Sequence, residues 1–471
     1  MAALNDGLTE NKMRTFSDWP WRHWARQRAE ACAVRQGQRT LSWPQLTRQI
    51  DELAAGFIHQ GIHAGCGVVL QADSSEQAVL AYLALMQCGA RLLPLNPQLP
   101  ASQTDLLSSL NIDFALTLKG EPPAGIAALQ LQPRSGTVRH DWQAEAIATL
   151  TLTSGSSGRP KAVAHTFKAH LASAHGVVSK ISFTASDSWL LSLPLYHVSG
   201  QGILWRWLSV GGELALIDGA TLFDALTQCS FASLVPTQLW RLLQHPLPSA
   251  LRTVLLGGAA IPPALTQQAE AQGIACWCGY GMTETASTVA AKRASETGGV
   301  GRALAGHRIR LAAGEVQLQS AALACGYWQN GALLPLCDKD GWFHTRDGGR
   351  WVEGELQLTG RLDNQFFSAG EGIQPEQIEA LLAAHPAVDQ VFIVPKEDEE
   401  YGHRPVALVA IKPELSLSGL QAWAMPRLAG FQRPVSWYLL PELNGGGIKI
   451  SRQRLINWVA QQEEGRQSAR T

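Results

Sequence analysis

At 471 residues and 50.9 kDa the chain is too long for one ordinary domain and suits two or three. Apolar residues make up 46% and charged residues 16%, which excludes wholesale disorder and permits a large core. With 38 basic and 39 acidic residues the net charge is −1, so no global field favours nucleic acid or an anionic membrane, and a polyanionic ligand needs a local site.

Residues 1–15 are polar and mixed in charge, without a signal-peptide core, and are expected to be disordered. Trp19, Trp21 and Trp24 follow and suit core packing better than a binding platform. Glu76 to Cys88 predicts a helix that stops at Gly89, and Leu92 to Leu95 then runs into a Pro-rich turn. No apolar run reaches the ~18 residues of a membrane span, so a soluble, cytoplasmic protein is expected. Trp189 to Leu195, Phe231 to Val235 and Thr253 to Leu256 are short apolar runs bounded by Gly, Pro or Ser, which predicts buried strands. Gly341 to Gly354 has the texture of β-hairpins. Beyond it, Pro375 opens a helix with Ile378, Leu381 and Leu382 on one face, and Val391 to Val394 and Val406 to Ile411 predict two strands. A small α+β unit fits there, with the boundary at Asp363.

The eight cysteines lack repeated spacing and read as reduced, mostly buried thiols. Cys276 and Cys278 fall one residue short of C-x-x-C, and no second pair is near. His165, His170 and His175 do not share a helical face, because five-residue steps advance by about 140°. They read as surface or packing histidines.

The stretch most suited to chemistry is Thr153-Ser154-Gly155-Ser156-Ser157-Gly158-Arg159-Pro160-Lys161. Its glycines allow close backbone approach, and its hydroxyls and lysine supply donors for phosphate oxygens. It is not a Walker A loop: Arg159-Pro160 separates Gly158 from Lys161, and Ala162 stands where a magnesium-binding hydroxyl belongs. By composition alone it is equally a flexible Ser/Gly turn.

Further segments occur in a fixed order. They are Leu195-Tyr196-His197-Val198-Ser199-Gly200, Gly257-Gly258-Ala259-Ala260, Gly279-Tyr280-Gly281-Met282-Thr283-Glu284-Thr285, Thr345-Arg346-Asp347, Gly360-Arg361-Leu362-Asp363 and Gly447-Ile448-Lys449-Ile450. Together with the Ser/Gly stretch they resemble the signatures of the acyl-adenylate-forming superfamily, from about Phe16 to the end of the chain. The resemblance implies an α/β fold with a large N-terminal domain of helix-covered sheets and a β-barrel-like subdomain (1–362), and a small mobile α+β C-terminal domain (363–471). It implies that a carboxylate attacks the α-phosphate of ATP, pyrophosphate leaves, and the thiol of coenzyme A displaces AMP.

By the same resemblance Thr153, Ser154, Gly155, Ser156, Ser157, Gly158 and Lys161 would hold phosphates, and Gly258, Ala259, Gly279, Tyr280 and Gly281 would lie at the adenine. Thr283 would contact phosphate and Glu284 would hold Mg²⁺. Asp347 would accept from both ribose hydroxyls with Arg361 beside it. Lys449 would bridge the α-phosphate and the acid, and His197 would line the acid pocket. Asp363 would be the hinge, and Gly370 would line the coenzyme A tunnel. Plainer alternatives stand beside these: an Asp347–Arg361 surface ion pair, a helix-end charge at Glu284, and a loop lysine at Lys449.

Three stretches, Leu191 to Gly202, Ser233 to Leu243 and Arg361 to Ser368, are similar to the enterobacterial o-succinylbenzoate–CoA ligase branch of that superfamily. This implies an aromatic keto-diacid whose second carboxylate needs polar or cationic partners when buried. His197, Ser199, Gln201, Arg206 and Thr237 are the candidates, although Arg206, between Trp205 and Trp207, is equally a solvent-facing arginine. The expected partners are o-succinylbenzoate, ATP and CoA, with no nucleic acid and no membrane span; self-association into a homo-oligomer is left open. The rival readings are another aryl- or fatty-acyl-CoA ligase, and a non-catalytic ATP-binding module.

Overall fold

The computed structural model describes residues 13–98, 104–138, 140–153, 160–219, 221–246, 248, 250–258, 261–294, 299–368, 371–398, 400–441 and 450–468. Two large sheets, of nine and eight strands, dominate an α/β fold, joined by smaller sheets of four and five strands. In the nine-stranded sheet the expected strands Phe231–Leu234 and Thr253–Leu256 pair in parallel and are buried throughout. Parallel strands covered on both faces read as unbroken apolar runs, which is why they were visible in sequence. The predicted strand from Trp189 to Leu195 is observed only as Ser188–Leu190. Beyond it, Pro194 and a close turn redirect the chain: a Cβ on Gly200 would lie 2.1 Å from Pro194 O.

The helix Glu76–Gln87 is almost entirely buried and ends, as expected, before Gly89, whose φ is +77°. Its N-terminus is capped by the Ser75 side chain, which accepts from Ala78 N at 3.2 Å. The helix Trp43–His59 begins with a capping box from Ser42 and Gln45 and buries Leu46, Ile50, Leu53 and Phe57 along one stripe. Among the described residues no helix is long and apolar enough to cross a membrane.

The N-terminal tryptophans are core, as expected. Trp19 and Trp21 stack at 5.0 Å, and Trp43 stacks on Trp207 at 5.1 Å. The indole N–H groups of Trp21 and Trp24 are matched, donating to Gln87 Oε1 at 3.0 Å and to Leu208 O at 2.7 Å, whereas the buried indole N–H of Trp43 meets no acceptor among the described residues. The described residues begin at Met13, so the expectation of disorder for 1–15 falls mostly outside them. Of its last residues, Arg14 lies with its guanidinium 4.8 Å from the Trp24 ring.

The expected hairpin is Phe343–Val352 with Glu355–Arg361, in a four-stranded antiparallel sheet with His307–Ala312 and Glu315–Ser320. It is a curled half-barrel, not a closed one: its outer strands are not paired with each other. The last sheet, from Phe366–Ser368 to Ser436–Leu439, is covered by the helices Pro375–Ala383 and Leu417–Ala424. Phe366, Ile378, Ile393 and Leu420 pack in one cluster on it, and Val406, Leu408, Tyr438 and Leu455 in another.

Candidate active site

Thr153 ends the strand Ile147–Thr153, and Lys161 starts its antiparallel partner Lys161–Thr166, the two standing opposite each other. Ser154, Gly155, Ser156, Ser157 and Gly158 lie outside the described residues. The Lys161 side chain is exposed, with its ammonium 5.0 Å from the centre of the Tyr327 ring.

In the other large sheet, Ala275–Met282 carries Gly279, Tyr280 and Gly281 and runs into a 3₁₀ turn, Thr283–Thr285. Gly281 sits at a bulge where a Cβ would meet Ser287 O at 1.8 Å, so only glycine fits. The turn is held from two sides. His165 Nε2 bonds Thr283 O at 2.7 Å, and Ala324 N donates to Glu284 O at 2.8 Å. The Tyr327 phenol donates to Glu284 Oε1 at 3.1 Å. Gly258 is exposed with φ +82°, and Ala259 lies outside the described residues.

Asp347 is buried. Burial pushes its carboxyl up from the usual range, against which Tyr280 and Arg361 act. Tyr280 donates to Oδ2 at 2.6 Å, and Arg361 Nη1 to Oδ1 at 3.2 Å. The same guanidinium grips Asp363 through Nε at 2.9 Å and Nη2 at 2.7 Å. This is more than a surface ion pair, because one arginine ties the buried aspartate to the residue at the predicted hinge.

The acid-pocket candidates divide. His197 is the N-cap of the helix Val198–Val210, and Ser199 lies in its first turn. Gln201 is fully buried and commits its amide to Thr151 Oγ1 at 3.1 Å and Leu195 O at 3.0 Å, tying this helix to the strand that leads to Thr153. Thr237 is exposed near the start of the helix Pro236–Leu242. The solvent-facing alternative for Arg206 is wrong: the residue is 2% exposed. Its guanidinium donates to Ser233 Oγ at 3.3 Å, Ser287 Oγ at 3.0 Å and Thr288 Oγ1 at 3.4 Å. It lies 5.1 Å from the Trp189 ring, and among the described residues no carboxylate pairs with it. Burial lowers its pKa to about 9, so it remains a cation at neutral pH.

The three histidines are not on one helix. His165 is on a strand, while His170 and His175 are on the helix Phe167–Ile181. His165 and His170 are buried with rings 5.0 Å apart, and burial lowers the His165 pKa to about 4. A neutral imidazole must then donate through Nε2 to the Thr283 carbonyl. The thiols of Cys276 and Cys278 lie on one strand, and burial raises Cys276 to about 12.

Sequence reasoning missed Tyr327, Ser287, Thr288 and the link from His165 to Thr283. Their only signal was polarity inside apolar strands, which carries no address for the partner. Lys449 and Gly370 lie outside the described residues.

The chain matches the family described as AMP-binding enzyme over residues 21–328, and its C-terminal domain over residues 377–445. It belongs to the AMP-binding enzyme family. It is 53% identical over 452 residues to the 2-succinylbenzoate–CoA ligase of Escherichia coli (strain K12), covering 95% of this chain and 100% of that protein. It is 52% identical over 450 residues to the 2-succinylbenzoate–CoA ligase of Salmonella typhimurium (strain LT2), covering 95% and 99%. Among solved structures it resembles an arginine-to-lysine variant of E. coli MenE with bound OSB-AMS, with a TM-score of 0.89 and 52% identity, covering 95% of this chain and 99% of that one.

Proposed function

We propose that this enzyme joins o-succinylbenzoate to coenzyme A in two steps, as an AMP-forming acid–thiol ligase of menaquinone biosynthesis. The relatives that are half identical over nearly the whole chain are ligases of that acid. The observation in this structure that carries the reading is Arg206. A buried guanidinium surrounded by three hydroxyls and lacking a carboxylate among the described residues is a receptor for an organic anion. The benzoate carboxylate would supply it, leaving the succinyl carboxylate to react. No such group is needed for a monocarboxylic fatty acid, which disfavours that rival.

In the first step the succinyl carboxylate oxygen bonds to the α-phosphorus of ATP and the bond to the bridging oxygen breaks, releasing pyrophosphate. In the second the thiol of coenzyme A gives up its proton and attacks the acyl carbon, and AMP leaves. Two anions must be brought together, so positioning and electrostatic stabilisation dominate. Thr153, Ser154, Ser157 and Lys161 would hold phosphates, Asp347 the ribose hydroxyls, and Lys449 both the α-phosphate and the acid.

Among the described residues no group of three or more His, Cys, Asp or Glu could hold a metal by itself. One carboxylate, Glu284, beside phosphate-binding side chains fits Mg²⁺, which keeps waters and shares phosphate oxygens. When bound, that ion would neutralise phosphate charge. Residues 1–362 would form the acid- and ATP-binding part and 363–471 a mobile part that turns at Asp363. The separate sheet and core clusters after Phe366 support that division. The enzyme would act in the cytoplasm.

The test is acid-dependent ATP–pyrophosphate exchange without coenzyme A. Exchange with o-succinylbenzoate and not with benzoate, 4-phenylbutanoate or octanoate is expected. Equal exchange with octanoate would discard the proposed acid.

A further inference from the structure

Three side chains from distant parts of the chain meet at one ring. Tyr327 lies on the strand Gly326–Gln329, which pairs with the strand of Lys161 through Tyr327 opposite Val163 and Trp328 opposite Ala162. Lys161 rests its ammonium 5.0 Å from the ring centre, while the phenol donates at 3.1 Å to Glu284, which belongs to a turn of the other large sheet. Lys161 is exposed and Glu284 half-buried, and as opposite charges they attract each other. They do not pair; Tyr327 engages both.

We propose that Tyr327 is a positioning residue that spaces Lys161 from Glu284 and aims the Glu284 carboxylate. One carboxylate oxygen is then presented to a divalent cation, and the lysine stays available to phosphate. The inference rests on the proposed roles of Glu284 and Lys161.

Three features support it. The turn backbone at Thr283 and Glu284 is already held by His165 and Ala324, so the undetermined variable is the direction of the carboxylate, and the phenol sets it. A carboxylate oxygen can only accept, so at 3.1 Å the phenol is the donor of that bond and fixes one of the two Glu284 oxygens. The Lys161 ammonium is itself exposed, and a solvated cation over an aromatic ring is weakly held, so Lys161 can leave the ring for a phosphate oxygen. A direct Lys161–Glu284 pair would neutralise both groups before ATP arrived.

The test is calorimetric binding of ATP to the full chain, with Mg²⁺ and with EDTA. Tyr327→Phe should lose roughly tenfold or more of the Mg²⁺-dependent gain in affinity, the scale of one hydrogen bond to a charged group. Its metal-free ATP binding should stay within about twofold, because the ring still carries Lys161. Tyr327→Leu should weaken metal-free binding as well. In a Glu284→Gln background Tyr327→Phe should have no further effect on the Mg²⁺ dependence. An unchanged Mg²⁺ gain in Tyr327→Phe, or equal weakening with and without metal, overturns the tyrosine's role. If Glu284→Gln itself leaves the Mg²⁺ gain intact, the metal role of Glu284 falls and this inference with it. If Glu284→Gln abolishes the gain while Tyr327→Phe is silent, only the inference falls.

Discussion

The phenol of Tyr280 donates a 2.6 Å hydrogen bond to Oδ2 of Asp347, joining the strand Ala275–Met282 of the nine-stranded sheet to the curled half-barrel. Burial raises the Asp347 pKa, and Tyr280 and Arg361 are what oppose it. Tyr280→Phe should therefore move that pKa further up and weaken ATP binding by roughly tenfold, the scale of a hydrogen bond to a charged group. The loss should be larger near pH 6 than near pH 8, because the neutral carboxyl grows on the acid side. Titration of ATP affinity against pH checks this, and a pH-independent loss would argue for simple packing.

Arg206 offers a sharper separation of binding from stability. Replacing an uncompensated buried cation by an apolar side chain is often neutral or stabilising. Arg206→Met is expected to hold or raise Tm while raising the acid KM by about tenfold or more, the cost of a lost charge-assisted contact. The ATP KM should change little. A lower Tm with an unaltered acid KM would make the arginine structural.

The two half-reactions can be tested apart. Lys449→Ala should lower adenylation by about 10²-fold or more, the loss of one pre-organised stabilising group. A preformed acyl-adenylate should still react with coenzyme A. Asp363→Pro, which restrains the turn Leu362–Asn364 where Arg361 grips Asp363, should cost thioester formation more than adenylation. Stopped-flow measurement of each step decides; equal losses in both would remove these roles.

Acid should unfold the protein through buried imidazoles. Burial lowers His307 from 6.5 to about 4, so the unfolded chain takes up its proton first as pH falls. The associated stability is complete above about pH 6.5 and is lost as pH drops through about 4, amounting to about 3 kcal/mol. His165 and His170 are lowered by burial in the same direction. Urea unfolding at about pH 7.5 and 4.5 should show His307→Leu less acid-sensitive than the parent by about 2–3 kcal/mol. Parallel curves for the two proteins would show that His307 does not contribute.

Elements made by local rules were legible in the sequence. The helix Glu76–Gln87 needed only its apolar run, Ser75 and Gly89. The parallel strands Phe231–Leu234 and Thr253–Leu256 needed only burial on both faces. The segments proposed to meet phosphate, ribose and the hinge could be suggested from sequence because each is a contiguous short motif. Where a local pattern met a distant constraint the outcome changed. The strand from Trp189 ends at Leu190 because Gly200 packs on Pro194, and the three histidines divide between a strand and a helix.

Sequence by itself determined which residue types stand at which step of the chain, and with them the class of reaction. Tertiary structure alone decided that Arg206 is buried without a carboxylate partner among the described residues, that Tyr280 and Arg361 share Asp347, and that Tyr327 stands between Lys161 and Glu284. The physical reason is that desolvation, ion pairing and hydrogen bonding depend on neighbours brought from far along the chain, and neither hydrophobic period nor motif spacing encodes those neighbours.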